Sequence, residues 1–172
     1  MTATVPAYGD VRTGTYRIDP TRSRISFVVR TRLGLFPVRG TFEVRSGEVS
    51  VAERPTSSTV HAVVDAASFS SGIARRDRDV RSPRFLDVAT VPDIVFTGKA
   101  SGDGTTVVGE LVRGEHRVPV TLQITGAESI QDAAGGYRVS AVSRVDRAAL
   151  GVAQPAPWRF LDLTLEVWLS AV

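Results

Sequence analysis

The sequence predicts an all-β protein in which about eight strands form one antiparallel sheet, either closed on itself or folded into a sandwich. Three observations lead there. Apolar and polar residues alternate along most of the 172-residue chain, Gly-containing turn signals separate the alternating runs, and one stretch from Arg75 to Phe96 departs from the pattern.

Met1 to about Gly14 is small, polar and unpatterned and reads as a tail, leaving residues 15–172 as a single domain long enough for a substantial core. Tyr16 to Asp19 is a short first strand closed by Asp19-Pro20. In the next run Ile25, Phe27 and Val29 share one face, with Arg24, Ser26 and Arg30 on the other. Leu33 to Gly40 mixes apolar residues with Gly34 and Pro37 and reads as an apolar rim loop. Phe42 and Val44 begin a strand that Gly47 is expected to break before Val49 and Val51 resume it. From Thr59 onward, Val60, Ala62, Val64 and Ala66 fall on one side. Ser101-Gly102-Asp103-Gly104 and Gly114-Glu115 are hairpin turns. After the second, Val118, Val120, Leu122 and Ile124 face one way, while Pro119 calls for an edge, a bulge or an outward-facing irregularity. Gly135-Gly136 opens the following strand. In the last, Leu161, Leu163, Leu165, Val167 and Leu169 alternate with Asp162, Thr164 and Glu166.

The non-alternating stretch carries five arginines and two aspartates between Arg75 and Arg84. Asp77 with Arg81, and Arg75 with Asp79, stand at the i,i+4 separation that brings opposite charges together on a helix. Ser82-Pro83 has the chemistry of a second helix start, a hydroxyl cap followed by proline at the first helical position. Val91 before Pro92 is pushed to extended geometry, and Ile94 and Phe96 then alternate as a strand. The expectation is a short helical insert near residues 74–90, seated by Val80, Phe85 and Leu86.

Composition excludes several classes. Hydrophobic and charged contents of 42% and 23% are ordinary for a globular domain. The net charge is only +3, and the pI of 9.9 reflects basic residues that are nearly all arginine, so no nucleic-acid partner is inferred. Binding of a nucleic acid or an acidic partner through the basic insert is the minor alternative. With no cysteine there is no disulfide, thiol nucleophile or thiolate metal site. The beginning of the chain has no basic segment followed by an apolar run, and nothing approaches the roughly 18 apolar residues of a membrane span. The expectation is a cytoplasmic protein without an integral membrane segment. His61 and His116 lack metal-ligand spacing. Ser68, Ser70 and Ser71 lack a G-x-S-x-G setting. No catalytic residue, metal or cofactor is expected.

A closed barrel of about eight strands is either filled by side chains or leaves room for one small ligand. Ala62, Ala66, Gly109, Ala141 and Ser143 are small residues expected to point inward beside Phe27, Phe42 and Phe96. They would either interlock with the rings to fill the centre or leave an elongated apolar cavity, with the helical insert as a lid or end plug. Pattern alone leaves both open.

The segments YRIDPTRSRISFVVR, VRGTFEV, DAASFSSGIARRDRDVRSPRFLDVATVPDIVFTG, GELVRGEHRVPVTL and VDRAALGV, in this order and spacing, resemble the YceI-like family of polyisoprenoid-binding proteins. Arg76-Asp77, Val80-Arg81-Ser82, Phe85 and Pro92 to Phe96 match the family's central pattern. Asp79 stands where histidine is common, and Val80 where leucine is common. The resemblance implies a lipocalin-like antiparallel barrel holding a long isoprenoid chain, of the polyprenyl phosphate or quinone type, in some members as a homodimer. Many members are exported.

The implied function is a non-catalytic carrier, storage or stress-related role for such a lipid. The alternative is an enzyme acting on an apolar substrate in the same cavity. A hydrocarbon tail needs apolar wall rather than hydrogen-bond donors, and the residues expected to line it are Phe27, Val29, Phe42, Val64, Phe69, Phe96, Leu111, Val120, Leu122, Val139 and Leu163. Arg75, Arg76, Arg78 and Arg81 either meet a head group at the barrel mouth or pair with Asp77, Asp79 and Asp87 as a solvated charged face. Asp146-Arg147 reads as a strand-end ion pair, with ligand involvement as the minor alternative.

Overall fold

The computed structural model describes residues 11–30, 37–131, 135–152 and 159–172. Its strands are β1 (Gly14–Ile18), β2 (Arg24–Val29), β3 (Val38–Val51), β4 (Thr59–Ser70), β5 (Asp93–Ser101), β6 (Thr106–Arg113), β7 (His116–Ile130), β8 (Gly136–Asp146) and β9 (Phe160–Ala171). One helix, α1 (Ala74–Arg81), lies between β4 and β5. The order β1-β3-β2-β9-β8-β7-β6-β5-β4 closes through β3–β4 pairing, and every pairing is antiparallel.

The nine strands make a barrel of eight staves, because β1 and β2 share one position. β2 pairs with Val38–Phe42 of β3 and Asp162–Glu166 of β9. β1 pairs farther along the same two strands, with Glu48–Val51 and Leu169–Ala171. The chain steps between them at Asp19-Pro20, where the Asp19 carboxylate accepts from the Thr21 amide at 2.9 Å and its hydroxyl at 2.6 Å. The longest strand has 15 residues and, at about 3.3 Å per residue and a tilt near 40°, rises roughly 38 Å along the barrel axis.

Some local expectations change in three dimensions. Gly47 does not break β3; it stays paired with Ala62 because a Cβ there would press on Ile18 and the His61 carbonyl. The irregularities lie upstream, between Thr41 and Glu43 and between Val44 and Ser46. At the first, the Ser68 hydroxyl accepts from the Glu43 amide at 2.7 Å and donates to the Asp65 carbonyl at 2.6 Å, so β4 bulges and Phe69 comes into the lumen out of phase with Val64. Pro119 sits where β7 pairs with β6 only; its ladder with β8 begins at Gln123. Val11 is buried and belongs to the core, so the fold starts before Gly14. The tail over 1–10, the rim loop residues 33–36 and Trp158 lie outside the described residues.

The helical insert forms, but not with the expected partners. Asp77, 7% exposed, accepts from the Ser71 amide at 2.9 Å and from the Ser71 hydroxyl. Arg81 donates from Nη2 to the Phe69 carbonyl at 2.5 Å. Among the described residues no ion pair joins Asp77 to Arg81 or Arg75 to Asp79. The carboxylate and guanidinium instead dock the helix onto the end of β4. Ser82 does not cap a second helix: its hydroxyl donates to the Asp79 carbonyl at 2.6 Å, and the chain turns through left-handed Asp87 at φ 48°.

The buried apolar residues fall into two clusters. One gathers Phe27, Phe69, Leu86, Phe96, Val145 and Leu150 toward α1; the other gathers Val11, Tyr16, Ile18, Val51, Tyr137 and Leu169 toward the opposite end. Phe42 and Leu163, only partly buried, border both. A filled core would be one cluster, so the division marks space between them.

Candidate functional site

That space is a cavity of about 640 Å³ along the barrel axis, within the range of small-molecule sites. Alternation in every stave aims an apolar row inward, and two devices enlarge the lumen around the large rings. Gly98 and Gly109, paired across β5 and β6, leave the space that the Phe96 ring occupies, since a Cβ on either would lie 2.7 Å from it. Gly40 does the same for Phe27. Phe27 stacks on Phe69 at 5.3 Å between centroids, and Phe42 meets Phe69 edge-on at 5.5 Å.

All the predicted wall residues border the cavity: Phe27, Val29, Phe42, Val64, Phe69, Phe96, Leu111, Val120, Leu122, Val139 and Leu163. Several, among them Phe42, Val64, Leu111, Leu122, Val139 and Leu163, retain intermediate exposure although they point inward, because they face the lumen. Of the expected small residues, Ala62 and Ala141 also line it. Ala66 is fully enclosed away from the cavity, and Ser143 turns its hydroxyl to the Thr121 carbonyl at 2.7 Å.

Among the described residues, the polar ones at the lumen are Ser58, Thr59, Arg75, Arg76, Asp79, Arg113 and Arg147. Arg75 and Arg76 of α1 reach the cavity beside Ile73, which is 52% exposed, so this end meets solvent. Arg76 also donates from Nε to the Ser71 hydroxyl at 2.8 Å. Arg78 does not border the cavity, and Arg81 is committed to Phe69.

Arg113 is the lumen residue that pattern reading missed, and Arg147 is one that it read chiefly as a strand-end partner of Asp146. Arg113, at the end of β6 and 6% exposed, donates to the carbonyls of Leu150 at 3.1 Å, Phe85 at 3.2 Å and Leu86 at 2.6 Å. It thereby ties the turns after α1 and β8 together. Burial pushes its guanidinium down from the ordinary value, with the Asp87 carboxylate opposing. Arg147 does not pair with Asp146, which corrects the expected strand-end pair. Asp146 accepts instead from Arg159, at 2.9 Å from Nε and 2.8 Å from Nη2, and this hydrogen bond is the main cause holding its carboxyl below the usual range. The Nε and Nη2 atoms of Arg147 are enclosed and have no hydrogen-bond partner.

The profile of the YceI-like domain matches residues 16–170. The chain belongs to the YceI-like family. A UPF0312 protein of Yersinia enterocolitica is 32% identical over 128 residues, covering 72% of this chain and 67% of the relative. One from Pseudomonas syringae is 30% identical over 146 residues, covering 79% and 76%. Among solved structures, Burkholderia cenocepacia BcnA superposes with a TM-score of 0.65 at 21% identity, covering 90% of this chain and 99% of that one. A polyisoprenoid-binding domain from Saccharophagus degradans has a TM-score of 0.65 at 15% identity, covering 91% and 98%. These likenesses establish the YceI-like barrel for the chain. No helix among its described residues is long and apolar enough to cross a membrane.

Proposed function

We propose that this YceI-like protein is a non-catalytic carrier or store for a long-chain isoprenoid lipid of the polyprenyl phosphate or quinone type, whose tail lies in the cavity between the two apolar clusters. The observation that carries this reading is the cavity itself: about 640 Å³, continuous between the clusters and walled by hydrocarbon. An isoprenoid tail offers almost nothing but CH₂, CH and CH₃ groups. Each buried CH₂ contributes roughly 0.8 kcal/mol before ordering costs, so a few isoprene units support tight binding. The Saccharophagus degradans domain of the same fold, a polyisoprenoid-binding domain, supports the ligand class.

In this reading Phe27, Phe42, Phe69 and Phe96 hold the part of the tail near α1, and Val64, Val139 and Leu163 hold the middle. Arg75 and Arg76 stand at the entrance. Among the described residues the ionisable side chains that border the lumen are arginines, which do not exchange protons in the physiological range, and Asp79 on α1.

Organic extraction of gently purified protein followed by mass spectrometry, with added polyprenyl lipids as a second arm, tests the proposal. The expected result is about one prenyl lipid per chain, either carried through purification or taken up on addition. Protein that is repeatedly empty and also refuses added prenyl lipids would count decisively against it. Conversion of a bound lipid to a released product would replace the carrier by an enzyme.

A further inference from the structure

A guanidinium with enclosed, unsatisfied donors does not belong in a purely hydrocarbon lumen. Leaving such donors without a partner in a buried setting is costly, and an uncompensated buried charge more so. Arg147 presents this situation at the α1 end of the cavity: it lines the lumen, and its Nε and Nη2 are shut from solvent without a partner. Asp146, its neighbour in sequence, is taken by Arg159 and by the amides of Ala148 and Ala149. Arg113, itself buried, brings a second cation to the same end, and its carbonyl partners leave its Nε free. These two cations border the lumen beside the phenylalanine cluster in addition to Arg75 and Arg76 of α1, while among the described residues none borders it at the opposite end.

We propose that Arg147, seconded by Arg113, receives the anionic oxygen of the lipid's head group inside the barrel, so that the ligand is an acidic amphiphile held head toward α1. This deepens the isoprenoid-carrier reading and rests on it for the tail. A phosphate or a carboxylate supplies the same chemistry, an oxyanion that a guanidinium can meet through two donors. The arginines of α1 are not required, because an ion pair inside the cavity resists the salt screening that weakens one at the surface.

The test uses ligand pairs that share a tail and differ in charge: geranylgeranyl phosphate against geranylgeraniol, hexadecyl phosphate against hexadecanol, and palmitate as the carboxylate arm. Affinities are measured for the wild type, R147Q and R147K. The expected result is a preference for phosphate over alcohol of at least about tenfold, the scale of a charge-assisted hydrogen bond. It should persist in about 1 M salt, where the Debye length is about 3 Å, fall toward unity in R147Q and survive partly in R147K. Comparing palmitate with hexadecyl phosphate identifies which oxyanion is preferred.

Equal binding of phosphate and alcohol by the wild type would overturn the assignment while leaving the isoprenoid reading intact, as would a preference erased by salt or unchanged in R147Q. If R147Q does not fold, the wild-type ratio and R147K decide the question. Charge-selective uptake of the hexadecyl pair with refusal of both geranylgeranyl ligands would sustain the head-group assignment and end the isoprenoid one.

Discussion

At the end of the barrel away from α1, Tyr16 and Tyr137 meet edge to face at 5.6 Å; the Tyr16 hydroxyl donates to the Arg12 carbonyl at 2.7 Å, and the Arg12 amide donates to the Tyr137 hydroxyl at 3.1 Å. At the α1 end, Arg113 spans two turns through three carbonyls, and Arg147 points into the lumen with enclosed donors unpaired. Both ends contain polar atoms, but only the first satisfies the ones just described within the protein. The difference teaches where a guest's polar end belongs. An apolar tail can lie against either cluster, whereas among the described residues the unpaired donors at the lumen lie beside α1.

The largest expected effect comes from removing the space between the ends. Ala141→Phe places a ring into the lumen opposite Leu165 and should abolish lipid uptake, at least about a hundredfold in affinity. Because it fills empty volume, the usual overpacking cost of about 1–3 kcal/mol should be mostly avoided. Lipid titration and thermal melting together check this; a variant that still binds would mean that the tail does not use the middle of the tube.

Arg113→Met should cost about 3 kcal/mol in urea unfolding, because it strands buried carbonyls that now accept from a cation. A loss below about 1 kcal/mol would show that Arg113 is not the tie across the α1 end. Tyr137→Phe, at the other end, removes one acceptor and should cost only about 1 kcal/mol, without altering the preference between charged and neutral heads.

The smallest effect concerns acid. The folded-state pKa of Asp146 is depressed, chiefly by its hydrogen bond from Arg159, so the folded protein binds fewer protons there than the unfolded chain. The corresponding stability is present above the unfolded value near about 3.9 and is lost as pH falls through the folded value. Asp146→Asn should therefore flatten the acid limb of stability in urea melts at graded pH; an unchanged slope would contradict the depression.

The strands and most of the lumen wall were legible because alternation is a local property. A residue two positions from Phe27 or Leu163 points the same way, and the turns at Gly102 and Gly114 are written in glycines with φ of 62° and 56°. What escaped was nonlocal. The bulge that brings Phe69 inward depends on Ser68 reaching Glu43 across two strands. The shared stave of β1 and β2 depends on the lengths of β3 and β9. Asp77 looked like half of a helical ion pair, and its burial against Ser71 is set by docking onto β4. Arg113 and Arg147, each beside a turn, had the sequence setting of exposed strand-end charges. Only the convergence of the turns after β6 and β8 with the segment after α1 encloses them.

A crystal structure of the protein loaded with a prenyl lipid addresses the central claim most directly. Continuous density for the lipid chain is expected along the lumen, passing Phe27 and Phe69 and running toward Leu169. An empty lumen in crystals that contain the lipid, or density confined to the outer surface, would contradict it.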